Sequence, residues 1–389
     1  MHARLTGSST VIALALVLSA VVRPGQPRVH AQAGADAAGE ARAFDMGFTP
    51  FPYDATPEAV SFVQQFLAAD ADVVAAHFEG VPWTEALSGE PFRRNLAESF
   101  QGTKQAIPEH ARVYLAVSPI DLMRRGLAAY RGDAEGLPVP EPFAGKPFDD
   151  PTVMDAYLNY CRRAIDYFEP DYLNIGIEAN ELFRNSPGLW DGYVRLHRRT
   201  YEQLKSEHPD LPIFISFTLH DLVNPDRTEE QRAAAVSAIR ELMSASDLVA
   251  ISFYPFLGLL NARVDECLAW LDAQFGDLGK PYAVAEMGQI AEPLRVESLN
   301  FTIPGDEECQ RSMLESMFRF AHSHDLRFMI WFVSRDYDAL SRRMGKDVPE
   351  FLHLWRDAGL LDGEGRSRPA YDLWREHYRM PRADVGDRD

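Results

Sequence analysis

Short apolar runs rich in β-branched residues recur along the chain, and a longer segment with apolar residues at helical spacing follows most of them. This alternation persists from residue 43 to residue 378. It is typical of parallel strands covered by helices, and therefore of the α/β class. Eight strands are predicted, at residues 43–48, 71–77, 112–117, 172–177, 212–217, 248–253, 282–285 and 327–332.

The segments between these strands carry signals for the start of helices. Thr56 can cap a helix that has Pro57 at its first position, and Asp150-Pro151 repeats the arrangement. Apolar residues at helical spacing follow both caps. Further helices are predicted at residues 188–207, 228–246, 264–275, 306–324 and 370–378.

Eight strands with covering helices predict a single (β/α)8 TIM barrel. The alternative is a doubly wound open sheet, but no Gly-rich turn of the dinucleotide-binding type follows any strand. The long stretch 119–149, rich in Pro and Gly, is predicted to be a loop after strand 3. In a barrel it lies on the catalytic face, where loops shape a cleft.

The N-terminus has the pattern of an export signal. Arg4 precedes the apolar run 11–22, and small residues follow at positions 31–33. The run has about a dozen residues, fewer than the roughly 20 of a spanning helix. We expect a signal peptide over 1–33, a flexible linker over 34–41 and a barrel over 42–389, although an uncleaved anchor is the alternative. The mature protein is then a secreted or periplasmic monomer with no stable membrane anchor.

The net charge of −19 narrows the choice of partners. Removing residues 1–33 takes away three arginines and no acid, so the mature chain is still more acidic. Such a surface repels nucleic acid and is compatible with a neutral oligo- or polysaccharide. No cofactor is predicted, because a Gly-rich phosphate loop is missing. No metal site is predicted either, since the histidines lack ligand spacing.

Two glutamates stand where strands end. Glu181 lies in NIGIEANELF after strand 4, and Glu286 lies in PYAVAEMGQ at the end of strand 7. Splitting an acetal needs a proton donor for the leaving oxygen and a carboxylate that stabilises or traps the oxocarbenium centre. Two glutamates on one barrel rim supply both functions.

These residues resemble those of the large clan of retaining glycoside hydrolases whose acid/base and nucleophile follow strands 4 and 7. The matching positions are Asn180-Glu181 and Glu286. The segment ISFYPF, residues 251–256, resembles the strand-6 signature of arabinogalactan endo-β-1,4-galactanases. GLLDGEGRSRPAYDLW, residues 359–374, is similar to the closing segment of many clan members. As a pattern, the resemblance covers nearly all of the chain after residue 33.

The resemblance implies a role for several residues. Asn180 would bind the sugar 2-hydroxyl, Tyr254 would donate to Glu286, and Trp331 would form a sugar platform. It also implies a cis peptide bond between Trp331 and Phe332. The clan usually has an arginine at the end of strand 2, where this chain has His77. His77 either takes the place of that arginine or packs in the core, and Glu178 is either a third inward carboxylate or part of an ion pair.

The resulting hypothesis is hydrolysis of β-linked glycans by double displacement. Glu286 is the nucleophile and Glu181 the acid/base, with their carboxyl groups about 5–5.5 Å apart, as retention requires. A non-catalytic carbohydrate-binding barrel and a barrel hydrolase of different chemistry remain the alternatives. Galactan, mannan, xylan and β-glucan are not distinguished by these residues, because loops set that choice.

Overall fold

The computed structural model describes residues 41–297, 300–345 and 353–383. The predicted signal peptide, all but the last residue of the predicted linker and the chain after residue 383 lie outside the described residues. The division at residues 33 and 41 therefore stays a prediction.

Parallel strands form a barrel, as the sequence predicts. Nine strand segments belong to one sheet, and two of them, separated only by Ile215, are the halves of the fifth barrel strand. All eight predicted strands are present, with ends that move by a few residues. Their bounds are Asp45–Phe48 (β1), Val73–Phe78 (β2), Arg112–Val117 (β3), Tyr172–Asn174 (β4), Ile213–Phe214 with Ser216–Thr218 (β5), Val249–Phe253 (β6), Tyr282–Met287 (β7) and Leu326–Trp331 (β8).

The order of strand pairing closes the sheet. β1 pairs in parallel with β2 on one side and with β8 on the other. The first half of β5 pairs with β4, and its second half pairs with β6. Because every strand has two neighbours, the open doubly wound sheet is excluded and the (β/α)8 barrel is confirmed.

Helices separate the strands, and the predicted caps are present. Thr56 Oγ1 accepts from the amide of Ala59 at 3.2 Å, and Asp150 Oδ1 accepts from the amide of Thr152 at 2.8 Å. Several short helices and the helix Arg94–Ala106 were not predicted. The helices are Pro57–Asp70 (α1), Trp83–Ser88 (α2), Arg94–Ala106 (α3), Pro151–Phe168 (α4), Asn180–Asn185 (α5), Trp190–Glu207 (α6), Leu219–Leu222 (α7), Glu229–Met243 (α8), Val264–Phe275 (α9), Glu307–Ser323 (α10), Asp338–Met344 (α11) and Pro369–Tyr378 (α12).

Alternate strand residues divide between two apolar clusters. On β8, Phe328 and Ile330 belong to the cluster inside the barrel, whereas Met329 and Trp331 pack with the surrounding helices. The other strands follow the same two-residue period, which is the geometry of a pleated strand. Apolar side chains therefore fill most of the barrel interior.

The seventh strand interrupts this period where it reaches Glu286. Ile251 of β6 is opposite Val284, but Ser252, the next residue, is opposite Glu286, so one extra residue stands on β7. Ala285 belongs to the interior cluster and Met287 to the outer one, and Glu286 contacts side chains of the interior. This β-bulge thus turns two successive residues, Ala285 and Glu286, into the barrel.

The loop after β3 contains no helix or strand between residues 119 and 149, as predicted. It is tied to the C-terminal end of β2: the amide of Val81 donates to Ala129 O at 3.0 Å, and Trp83 Nε1 donates to Ala128 O at 2.8 Å. The loop therefore lies on the face where the strands end. A two-stranded hairpin, Leu294–Val296 and Phe301–Ile303, adds a second feature to the chain after β7.

None of the helices in the described ranges is both long enough and apolar enough to cross a membrane.

We predict that Gly47 on β1 does not tolerate a side chain. A Cβ there would lie 1.8 Å from the carbonyl oxygen of Val73 on β2, so Gly47→Ala must push two paired strands apart. Overpacking of this kind costs about 1–3 kcal/mol in the free energy of unfolding. Denaturant unfolding followed by circular dichroism measures it.

Gly102→Ala is the matched control, because a Cβ at this exposed position of α3 meets nothing within 4 Å. It should raise the free energy of unfolding by about 0.5–1 kcal/mol, since alanine favours a helix over glycine. Equal stability of the two variants would contradict the close approach of β1 and β2.

Candidate active site

Polar side chains from several strand ends meet at the C-terminal end of the barrel. Glu286 comes from β7, His77 from β2 and Tyr254 from the residue after β6, while Glu181 lies on α5 after β4. Glu286 and Glu181 are 2% and 3% exposed. The strand ends of a (β/α)8 barrel are where catalytic residues stand, so this rim is the candidate active site.

The carboxylate of Glu286 is held by two donors. Tyr254 Oη donates to Oε2 at 2.9 Å, and His77 Nδ1 lies 3.0 Å from Oε1. Both oxygens are thus occupied by groups that stabilise an ionised carboxylate. The sequence analysis assigned Tyr254 to a position beside Glu286 and allowed for His77 there. The structure places both side chains against Glu286.

His77 is a buried cation at neutral pH. Burial by itself would lower its pKa, but the charges and hydrogen bonds of Glu286 and Glu79 outweigh burial and raise the pKa to about 10. The imidazolium therefore gives Glu286 the positive charge that an arginine would supply. This geometry favours the first of the two roles considered for His77 and excludes simple core packing.

Glu181 has a different environment from Glu286. Thr218 Oγ1 donates to its Oε1 at 2.8 Å, and Arg184 Nη2 pairs with its Oε2. Arg184 is shared, because its Nη1 also lies 2.8 Å from Asp221 Oδ1. Burial, followed by the charge of Asp221, raises the pKa of Glu181 to about 8 despite Arg184. A proton is thus available on Glu181 at neutral pH.

The amide of Asn180 makes its contacts within the protein. Its Nδ2 donates to Thr218 Oγ1 at 2.8 Å, and its Oδ1 accepts from the Thr218 amide at 2.8 Å. Longer contacts of 3.4 Å join Nδ2 to Thr218 O and to Asp221 Oδ2. Asn180 therefore fixes the end of β5 beside Glu181, and the binding of a 2-hydroxyl stays a prediction.

Glu178 is a third buried carboxylate, and it takes part in an ion pair. Its Oε2 lies 3.2 Å from Arg124 Nη2, while its Oε1 is buried without a hydrogen-bond partner. Arg124 also lies 3.6 Å from Glu79 Oε1, and Glu79 Oε1 lies 3.5 Å from His77 Nε2. The two readings of Glu178, inward carboxylate and ion-pair partner, are therefore both realised.

His220, at the start of α7, is a neutral histidine of the same rim. Its Nδ1 accepts from the Tyr254 amide at 3.3 Å, and its Nε2 is buried without a hydrogen-bond partner. Burial lowers its pKa to about 4. His77 and His220 thus differ in charge because only His77 contacts a carboxylate at close range.

Trp331 does not form a sugar platform, and this expectation is corrected. The indole is fully buried, lies in the outer cluster and donates from Nε1 to Ala358 O at 2.9 Å. The reason is the two-residue period of β8, which turns Trp331 away from the interior. The expected cis peptide between Trp331 and Phe332 is also wrong, because that bond is trans.

The residue directly after β8, Phe332, packs beside the site instead. Its ring centroid lies 6.1 Å from that of Tyr254 and 6.1 Å from that of Trp355. Tyr254 and Trp355 are themselves 5.8 Å apart, at 84° between ring planes. These three rings form a packed aromatic cluster behind the phenol that holds Glu286.

Among the residues that the structure describes, one group of three acids has the spacing of a cation site. Ligand oxygens of Asp336, Asp338 and Asp357 lie within 4.8 Å of one another. Arg368 pairs with Asp336, and Arg356 Nη2 lies 2.7 Å from Asp357 Oδ2. Arginines thus already neutralise two of the three acids.

Sequence reasoning missed several residues of the site. Thr218 ends β5 and Asp221 follows it, and a polar residue at a strand end was the available signal. Arg184 lies three residues after Glu181, the spacing of neighbours on a helix. Arg124 gave no signal, because it lies in an irregular loop whose path a local pattern does not predict.

Comparison of the sequence with protein-family models and with curated proteins finds no match. Solved structures share the fold. An exo-β-1,4-mannosidase, Op5Man5 of Opitutaceae bacterium strain TAV5, is 16% identical with a TM-score of 0.57, over 88% of this chain and 60% of the other. This chain thus spans less than two thirds of that mannosidase.

Two further structures match over most of both chains. A GH5_18 protein of Streptomyces cattleya, solved with Manβ1-4GlcNAc, is 16% identical with a TM-score of 0.58, over 87% of this chain and 83% of the other. A fungal β-1,4-galactanase is 14% identical with a TM-score of 0.55, over 86% of this chain and all of the other. At these identities the comparisons show the fold: the chain shares the (β/α)8 barrel of these proteins.

Proposed function

We propose that the protein is a retaining glycoside hydrolase that cleaves β-linked neutral glycans, with Glu286 as nucleophile and Glu181 as acid/base. The observation that carries this proposal is the contrast between the two carboxyl groups. Glu286 accepts from Tyr254 and faces a cationic His77, whereas Glu181 has its pKa raised to about 8. One carboxylate kept ionised and one kept protonated are what double displacement needs.

In the first step, Glu286 attacks the anomeric carbon while Glu181 gives its proton to the leaving oxygen. A bond forms between the carboxylate oxygen and the sugar, and the glycosidic bond breaks with its electron pair on the leaving oxygen. His77 and Tyr254 fix the orientation of the attacking carboxylate through its two oxygens. Thr218 and Arg184 fix the carboxyl group of the acid in the same way.

In the second step, Glu181 acts as a base. It takes a proton from water, whose oxygen attacks the anomeric carbon and displaces Glu286. After the first step Glu181 is a carboxylate, and the Arg184 guanidinium stabilises that charge. The sugar leaves with the configuration that it had in the substrate.

The solved structures that share the fold support the proposed substrate class. Their names include a β-1,4-mannosidase and β-1,4-galactanases, and the segment at residues 251–256 resembles the galactanase signature. We propose a β-linked polysaccharide of the galactan type as the first candidate substrate. We further propose that the chain acts as a secreted or periplasmic monomer after loss of residues 1–33, which the N-terminal pattern supports.

We predict that Glu286→Gln abolishes hydrolysis, because a neutral amide cannot form the glycosyl-enzyme bond. Release of nitrophenol from a panel of aryl β-glycosides, and of reducing ends from galactan, mannan, xylan and β-glucan, measures the loss. Glu90→Gln is the matched control, since it makes the same chemical change on an exposed carboxylate. Full activity in Glu286→Gln would reject the nucleophile and with it the proposed mechanism.

The stereochemistry has its own test. In Glu286→Gly, the space left by the side chain admits azide, which should attack the sugar in place of the carboxylate and give a glycosyl azide of inverted configuration. Proton NMR of the anomeric centre identifies the product. Wild-type enzyme should release sugar with retention, and initial release with inversion would contradict double displacement.

We predict that kcat/KM falls as the pH rises through about 8, because the raised pKa of Glu181 sets the loss of its proton there. Below that pH the acid form is present and leaving-group protonation is available. In Glu181→Gln this basic limb should disappear and the rate should fall by about 10²–10⁴-fold. In this variant the hydrolysis of dinitrophenyl glycosides should slow less than that of nitrophenyl glycosides, because the dinitrophenyl leaving group needs no proton.

The pH profile has a contradicting outcome as well. If the basic limb keeps its midpoint in Glu181→Gln, another group supplies the proton and Glu181 is not the acid. Glu178→Gln identifies that group when its profile loses the limb, since Glu178 is another buried carboxyl group whose pKa is raised.

A further inference from the structure

Five charged side chains form a row of alternating sign across the rim. Their nearest atoms are separated by 3.2 Å from Glu178 to Arg124, 3.6 Å from Arg124 to Glu79, 3.5 Å from Glu79 to His77 and 3.0 Å from His77 to Glu286. Four different elements supply them: β2 and the turn after it, the loop after β3, the segment after β4, and β7. The row ends on the proposed nucleophile.

Arg124 is the centre of this row, and its position is specific. The guanidinium is 2% exposed and lies between the two carboxylates, with Nη1 donating to Asp121 O at 3.1 Å. Arg124 and Glu178 both have positive φ, 52° and 51°, a backbone region that residues with a side chain rarely adopt. Their ion pair therefore joins two strained positions that the surrounding structure must hold in place.

Glu79 is fixed by the same loop at two points. Arg131 Nη1 donates to the carbonyl oxygen of Glu79 at 3.1 Å, and Arg124 lies against its carboxylate. The side chain of Glu79 is 20% exposed, whereas the side chains of the other four residues of the row are at most 4% exposed, so the row is largely shielded from water. In such surroundings a charge acts strongly on its neighbours.

We propose that Arg124 is a positioning residue that acts on Glu286 through Glu79 and His77. Arg124 holds Glu79 as an anion, Glu79 holds His77 as a cation, and His77 orients the carboxylate of Glu286. The loop after β3 thereby adds a second positive charge, two residues removed from Glu286, to that of His77. This positioning role rests on the proposed function only in that Glu286 is taken as the nucleophile.

The electrostatics of each link agree with this role. Burial would raise the pKa of Glu79, but Arg124 and His77 lower it. Other titratable groups interact with members of the row from the elements packed around it, and the buried tyrosines among them stay neutral because burial raises their pKa. The groups are Tyr114, Asp121, Tyr160, Glu181, Tyr193 and Tyr254.

The first measurement is the titration of His77 by NMR of ¹⁵N-labelled histidine, with the signal assigned by its loss in His77→Gln. In the wild type His77 should stay protonated above pH 8. In Arg124→Met, Glu79 and Glu178 lose their common counter-ion and take up protons, so Glu79 no longer stabilises the imidazolium. The midpoint of His77 should then fall by at least about one pH unit.

Two variants control this result. Arg125→Met removes the same charge one residue away, at an exposed position, and should leave the titration of His77 unchanged. Arg124→Lys keeps a cation at the site and should restore most of the midpoint. If Arg124→Met fails to fold, the double variant Arg124→Met with Glu178→Gln replaces it. This variant removes one charge of each sign, and Glu79 still loses its cation. The same fall in the titration midpoint of His77 is expected.

The second measurement is hydrolysis of an aryl glycoside. Arg124→Met should lower kcat with little change in KM, and Arg124→Lys should recover it, as expected for a residue that orients the nucleophile. The proposal is overturned if Arg124→Met folds and its His77 titrates with the same midpoint as in Arg125→Met. If the midpoint shifts but the wild type cleaves no glycoside, the row is upheld and the proposed function fails instead.

Discussion

The β-bulge on the seventh strand is the constraint on which the site depends. A strand with an unbroken two-residue period would turn Glu286 outward, beside Val284, and leave the rim without its carboxylate. The extra residue opposite Ser252 sends Glu286 inward at the cost of one irregular pair. The contacts of Glu286 with Tyr254 and His77 both require this choice of face. Residue 286 therefore needs the β-bulge in the backbone as well as a glutamate side chain.

Charge is distributed on the rim so that two glutamates behave differently. His77 neutralises Glu286 directly, while Arg184 is divided between Glu181 and Asp221. The guanidinium is then insufficient to offset both the burial of Glu181 and the nearby anion. The same residue type thus contacts a cationic histidine at the end of β7 and has a raised pKa after β4, and the difference comes from partners outside the catalytic pair.

The sequence predicted the barrel well because its signals are local and repeated. Apolar runs, caps such as Thr56 and Asp150, and a glutamate at a strand end all depend on a few neighbouring residues. The prediction for Trp331 was wrong for a related reason. The sequence identified the end of β8 but not which residues there turn toward the interior, and a shift of one residue exchanges Trp331 for Phe332. Arg124 could not be predicted, since its contacts with Glu79 and Glu178 depend on the path of a long irregular loop. The helix at Arg94–Ala106 was missed because its apolar residues are few.

Barrel closure joins residues that are far apart along the chain. Thr49 Oγ1 donates to Phe332 O across 283 residues, beside the pairing of β1 with β8. The first strand has no partner on that side until the last one has been made, and contacts of such long sequence separation slow folding. A sheet of β1 to β7 alone would have two unpaired edges, one on β1 and one on β7, so the addition of β8 removes both edges at once.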